Sequence, residues 1–128
     1  MKEIVVDGFI YSFSNGVVVA SVTPISLPSL KCKAENKGIC KDGFQLLLSG
    51  ITVPSAGATI ADPTPYTATF NSSAQKTKAD GSFVLLVNDE TSSISATPNI
   101  PNSPSPIPYP ITFTVSITNA NQSKVLGS

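Results

Sequence analysis

The stretch Glu3-Ile4-Val5-Val6-Asp7-Gly8-Phe9-Ile10-Tyr11-Ser12-Phe13-Ser14-Asn15-Gly16-Val17-Val18-Val19-Ala20-Ser21-Val22 decides the fold class. Glu3–Val6, Phe9–Phe13 and Val17–Val22 are β-branched or aromatic runs, and the dipeptides between them, Asp7-Gly8 and Asn15-Gly16, favour two-residue primed turns. The segment therefore reads as a three-stranded meander.

Outward from it, strand signals continue. After Asp42-Gly43, Phe44–Leu48 is apolar enough for a strand buried on both faces, with Ile51–Val53 resuming it beyond a break at Ser49-Gly50. Tyr66–Phe70 alternates with period two, and Ser82–Asp89 follows the turn dipeptide Asp80-Gly81 as one more strand. The cleanest alternation is Ile111-Thr112-Phe113-Thr114-Val115-Ser116-Ile117, which puts Ile111, Phe113, Val115 and Ile117 on one face. No stretch of a dozen residues spaces apolar positions at three and four, and eleven prolines are present. Ser92–Pro110, rich in Ser, Pro and Asn, reads as an extended polyproline-like surface segment. No repeat of solenoid period and no compositional boundary divides the chain. Residues 1–128 are expected to form a single compact all-β domain of short antiparallel strands, cone-like or sandwich-like.

Charge and composition exclude several classes of function. Eight lysines, with no arginine, are balanced by eight Asp plus Glu, and charged residues make up 12% of the chain. That neutrality argues against an electrostatic nucleic-acid binder and against a charged disordered tail. Histidine, the commonest general base and a principal metal ligand, is absent. A nucleophilic Ser would then need Lys or a carboxylate as its base. The adjacent Asp89 and Glu90 point to opposite faces of a strand and read as a solvated strand end. No enzymatic activity is expected. The N-terminal apolar run is broken at Asp7-Gly8, too early for a secretory signal, and no uninterrupted run is long enough to span a bilayer. Synthesis in the cytoplasm without a signal peptide follows as the expectation.

Cys32 and Cys40 lie in the lysine-rich segment that holds Lys31, Lys33, Lys37 and Lys41. The two cysteines are close enough in sequence to close a small disulfide loop in an oxidising medium, or to stay free thiols in a reducing one, and both readings stand. Completed by Glu35 or Asp42 they would make a zinc site, at a spacing wider than the usual knuckle; without His, no cofactor is expected. The lysines, with Glu35 and Asp42 among them and no aromatic interleaving, read as a solvated loop.

Pro106-Ile107-Pro108-Tyr109-Pro110 ahead of an alternating strand resembles the PAAR-like proteins that cap the spikes of contractile injection systems, one branch of which carries a run close to P-x-P-I-P-Y-P-N before a strand. Ser82-Phe83-Val84-Leu85-Leu86-Val87-Asn88-Asp89 is similar to that family's G-K-P-V-L-L-x-G-D strand, without the Gly-Lys-Pro opening and with Asn88 where Gly would stand. The resemblance implies a conical all-β protein, one copy per spike trimer, on the end of a trimeric β-helical spike protein (VgrG-like). It would sharpen the tip for mechanical puncture of a target membrane, carry effectors in some cases, and leave the cell as part of an injection particle. Zinc-tipped members use His with Cys, so an apex here would be held by the Cys32/Cys40 loop or by apolar packing. The strand bearing Ile111, Phe113, Val115 and Ile117 is the expected spike contact. Two rival readings are an Ig-like or other β-sandwich binding module of a surface or virion protein, and an enzyme using a Ser–Lys pair.

Overall fold

A computed structural model describes residues 1–128, and every regular element longer than one turn in it is a strand. In chain order these are β1 (Lys2–Glu3), β2 (Ile10–Phe13), β3 (Val19–Pro24), β4 (Lys33–Ala34), β5 (Lys37–Gly38), β6 (Gln45–Val53), β7 (Ala58–Asp62), β8 (Tyr66–Asn71), β9 (Lys78–Ala79), β10 (Ser82–Phe83), β11 (Glu90–Thr91), β12 (Ile94–Ala96), β13 (Asn99–Ile100), β14 (Ile107–Pro108), β15 (Ile111–Phe113), β16 (Val115–Asn119) and β17 (Leu126–Gly127). All pairings are antiparallel. The all-β expectation holds, and the chain forms one compact domain.

The organising feature is a threefold repeat. Three six-residue passes, Ile4–Phe9, Ile39–Phe44 and Val84–Asp89, meet around a common axis. The first residue of each pass bridges the third residue of another: Ile4 with Leu86, Ile39 with Val6, Val84 with Lys41. The second residues close a cycle of backbone hydrogen bonds, Val5 N–H to Leu85 O (2.9 Å), Leu85 N–H to Cys40 O (3.0 Å) and Cys40 N–H to Val5 O (2.9 Å). Each pass ends in a tight turn whose fifth residue has positive φ: Gly8 (84°), Gly43 (84°) and Asn88 (75°). Before each pass lies a two-stranded ribbon, β17·β1, β4·β5 or β9·β10. After each pass come an outgoing and a returning strand: β2 and β3, β6 and β8, β11 and β16.

These six strands form a ring in the order β3-β6-β8-β11-β16-β2, in which neighbours are hydrogen-bonded. Units are joined by β3·β6, β8·β11 and β16·β2, and two units close their own hairpin through β6·β8 and β11·β16. In the first unit β2 and β3 do not pair. The meander expected there is therefore wrong: all three runs are extended, but each takes its partner from another part of the chain. Pro24 supplies the reason. It faces Leu46 as Phe70 faces Thr91 and Ile117 faces Tyr11, so the three residues are equivalent. Phe70 N–H donates to Phe44 O (2.9 Å) and Ile117 N–H to Asp89 O (3.0 Å), starting each hairpin ladder. Proline has no N–H to offer Phe9.

Insertions decorate the far half of the ring. β7 pairs with the end of β6, β13 with β7, and β14 with β13, while β12 and β15 extend the third unit's hairpin. The polyproline-like reading of Ser92–Pro110 thus gives way to short strands separated by prolines. Ser82–Asp89 is likewise not one strand, since only Ser82–Phe83 pairs as a ribbon and Val84–Asp89 is a ring pass. β6 runs unbroken through Ser49-Gly50, where an extra residue bulges out and Gly50 takes φ 63°. The bulge reverses the alternation, so Leu46, Leu48, Ile51 and Val53 all point inward.

Inside the ring a cluster of 19 buried apolar residues includes Val5, Cys40 and Leu85, all at 0% exposure. Phe9 packs edge-on against Phe44 and Phe70, with ring centroids 5.6 Å away in both cases. A second cluster, of eight, lies on the ribbon side of the axis and holds Ile4, Val6, Ile39, Val84 and Leu86. Successive residues of each pass thus serve opposite sides of the ring, as strand geometry requires.

Candidate docking face

The ribbons give the molecule one end on which the threefold repeat is most complete. Two ribbons turn through Glu35-Asn36 (φ 51° and 65°) and Asp80-Gly81 (φ 51° and 81°), the positive-φ pairs that primed hairpins need. In the third, Lys2 faces Gly127, so Ser128 and Met1 occupy the corresponding turn positions. Buried Gln122 braces this ribbon: its Nε2 donates to Ile4 O (2.7 Å) and Val125 O (2.8 Å), and its Oε1 accepts from Lys124 and Val125 N–H.

Every lysine lies in the ribbons, beside them or on a ring pass. Lys33 and Lys78 occupy equivalent positions at the start of their ribbons, and so do Lys2 and Lys37 in the second strands. Lys41 differs. It fills the ring position that Val6 and Leu86 hold in the other units, and its Nζ reaches Asp80 Oδ2 at 3.3 Å. Asp80 also accepts from Ser29 Oγ (2.5 Å) and Cys32 Sγ (3.6 Å). The Ser29 bond, then Lys41 and Cys32, hold its carboxyl below the ordinary value against the opposing effect of desolvation. Here a Ser and a Lys share one carboxylate, but Ser29 is buried at 5% exposure and its hydroxyl donates to Asp80, so it is not presented as a nucleophile.

Several sites expected from sequence are placed differently. Cys32 and Cys40 are free thiols, and no disulfide loop is formed. Cys40 points into the large cluster, where burial first and Asp7 second push its thiol up to about 12, whereas Cys32 packs at the edge of the small one. Glu35 accepts from Ser123 N–H, and Asp42 accepts from Ser72 N–H. These side chains do not converge, and no group of three or more His, Cys, Asp or Glu is placed to hold a metal ion. Ile111, Phe113, Val115 and Ile117 do share a face, but it is the inner one: all four are buried, and β16 is paired on both edges. They are core residues and cannot form the spike contact.

Asp89 and Glu90 point apart as expected, yet Asp89 is buried rather than solvated, accepting from Leu86 N–H (2.8 Å), Ser73 N–H (3.3 Å) and Ser73 Oγ (2.5 Å). A second buried carboxylate, Asp62, accepts from Tyr66 Oη (2.8 Å), Thr64 N–H (2.9 Å) and Thr97 N–H (2.6 Å). Burial raises its pKa, but these bonds outweigh burial and hold it below 3.8. The Tyr66 hydroxyl is pushed up by burial and by this carboxylate. Asp62 thus ties β7 to β8 through Tyr66 and to the chain after β12 through Thr97. What the chain builds at the ribbon end is a surface with three similar parts. Comparisons with protein-family models, with curated proteins and with solved structures returned no match.

Proposed function

We propose that the protein is a structural cap that seats its ribbon end on a trimeric partner, as a PAAR-like tip seats on the end of a trimeric β-helical spike in a contractile injection particle. The observation that carries this reading is the cycle through Val5, Cys40 and Leu85, with three similar ribbons around it. Three identical chains around an axis offer three identical surfaces. A single polypeptide can meet all of them only by repeating its own contact surface about the same axis. In this reading one copy binds per trimer, the work is mechanical, and no reaction is catalysed. The protein leaves the cell within the particle.

Charge supports the choice of end. Exposed Lys2, Lys33, Lys76 and Lys78 sit on or beside the ribbons, whereas the far half of the ring has no lysine, so a trimer with acidic groups around its end is the complementary partner. The test is to mix the protein with the trimeric spike protein of the same particle. A complex at micromolar concentration that weakens with added salt is expected. Replacing the four lysines by Glu should lower affinity at least tenfold while leaving the melting temperature near that of the parent. Absence of a complex at micromolar concentration contradicts the reading.

A further inference from the structure

We infer that the open seam between β2 and β3 is a binding site for an extended, uncharged, β-branched segment of another protein, which inserts as a strand and pairs with both edges. The inference is independent of the spike reading. Of the six junctions in the ring, five are hydrogen-bonded ladders and this one is not. The alternate residues Ser14 and Ile25 donate away from the seam, to Thr114 O (2.8 Å) and Gln45 O (3.0 Å). Strand parity therefore turns the main-chain groups of Tyr11, Phe13 and Val22 toward it. Such unpaired edges on both sides of a gap select a strand, because main-chain hydrogen bonding is what they lack.

The seam is also a groove of about 400 Å³, walled by Phe9 and Tyr11 on one side and by Pro24 and Leu27 on the other, with buried Phe44 and Leu46 beneath. Asp7 is the one charged residue that lines it, next to Gly8 at one end, and Gly8 through Leu30 contains no Asp, Glu or Lys. Ile10, Val17, Val19, Ile25 and Leu27 are exposed along the same stretch. An apolar edge normally carries a lysine or proline that blocks pairing. At the free edge of β14, Pro106, Pro108 and Pro110 do this, whereas in the seam Pro24 blocks only the end of β3 and leaves β2 and Val19–Thr23 without a proline. Over the apolar walls formed by Tyr11, Pro24, Leu27 and Leu46, away from Asp7, a charged side chain would give up its hydration without a partner, so the segment that lies along them is uncharged. Pro24 keeps the site open by denying Phe9 the amide that Phe70 and Ile117 provide in the other units.

The probe is a fluorescein-labelled, end-capped peptide Thr-Val-Thr-Val-Thr-Val-Thr, titrated by anisotropy into the intact protein. Saturable binding is expected, weakened at least tenfold when the central Val of the peptide is Pro and when the three Val are Lys. Pro24→Val restores the missing amide, so it should close the seam and weaken binding at least tenfold. Should that variant not fold, hydrogen exchange on the parent decides: the amides of Tyr11, Phe13 and Val22 exchange freely in the unliganded protein and become protected with peptide. No saturation up to a millimolar, equal binding of the proline-containing peptide, or amides already protected without peptide overturns the proposal. A concentration-dependent dimer that Pro24→Val abolishes overturns the choice of occupant, making it a second copy of this chain.

Discussion

Pro24 and Phe70 occupy the same position in two units of the ring, and only Phe70 has an amide to give. One missing hydrogen-bond donor leaves one junction of six unpaired while the cycle at the axis stays closed. The axis is therefore specified apart from the outer strands, by Val5, Cys40 and Leu85 and by the turns that follow them.

Those turns yield the first prediction. Gly43 has φ 84°, and a Cβ at this position would find no atom within 4 Å, so Gly43→Ala meets backbone strain without a clash. It should cost about 1–2 kcal/mol. Asn88→Gly, at the equivalent position, should be neutral or slightly stabilising. Leu85→Ala removes a fully buried side chain and should cost about 3 kcal/mol. Urea denaturation of the three variants checks the order, and Gly43→Ala without effect would contradict the turn's equivalence to that at Asn88.

Acid should destabilise the fold through Asp62 and Asp80. Both carboxyls are held below their ordinary value of 3.8 in the folded chain, so the unfolded chain binds protons first as pH falls. Their contribution is complete above the ordinary carboxylate range and is lost as pH drops through 3.8 toward the lowered values. Urea midpoints measured from about pH 7 to about pH 3 should fall most steeply at the acid end. Asp62→Asn and Asp80→Asn should each flatten that fall, and unchanged steepness in both would refute the assignment.

The two thiols should differ sharply. With Cys40 pushed up to about 12 and buried, only Cys32 can react with a disulfide reagent in the native protein at about pH 8. One equivalent of thiol is expected before denaturant and two after. Mild oxidation should leave an intramolecular Cys32–Cys40 bond unformed, which peptide mapping checks.

A circular permutant tests the ribbon geometry. Asn-Gly placed at the positions of Ser128 and Met1 would join β17 to β1 by a two-residue turn, as β4 and β5 are joined, and the chain can be opened between Glu35 and Asn36. The permutant should fold and melt within a few degrees of the parent. Failure to fold would contradict the equivalence of the three ribbons.

Much of the architecture was legible because strand alternation and turn dipeptides are local signals. Asp7-Gly8 and Asp42-Gly43 mark two of the three ring turns, and the inward face of Tyr66–Phe70 and of Ile111–Ile117 follows from period two. The threefold repeat was not legible, because equivalent positions hold unlike side chains: Val6, Lys41 and Leu86, or Phe9, Phe44 and Asp89. What recurs is backbone conformation, and insertions such as Ser92–Thr114 make the spacing unequal. The recurring signal is an apolar pair, Ile4-Val5, Ile39-Cys40 or Val84-Leu85, whose second residue lies three positions ahead of a positive-φ residue, and at Asn88 that residue is not glycine. Ile111–Ile117 misled as a contact strand for a related reason: alternation shows that one face is covered, not what covers it.

The most direct test of the central claim is the mass of the complex with the trimeric spike protein, measured by native mass spectrometry. One copy of this chain on three spike chains is the predicted composition, because one pseudo-threefold end satisfies a whole trimer. Three copies per trimer would mean that each spike chain binds its own copy and that the internal repeat plays no part in docking.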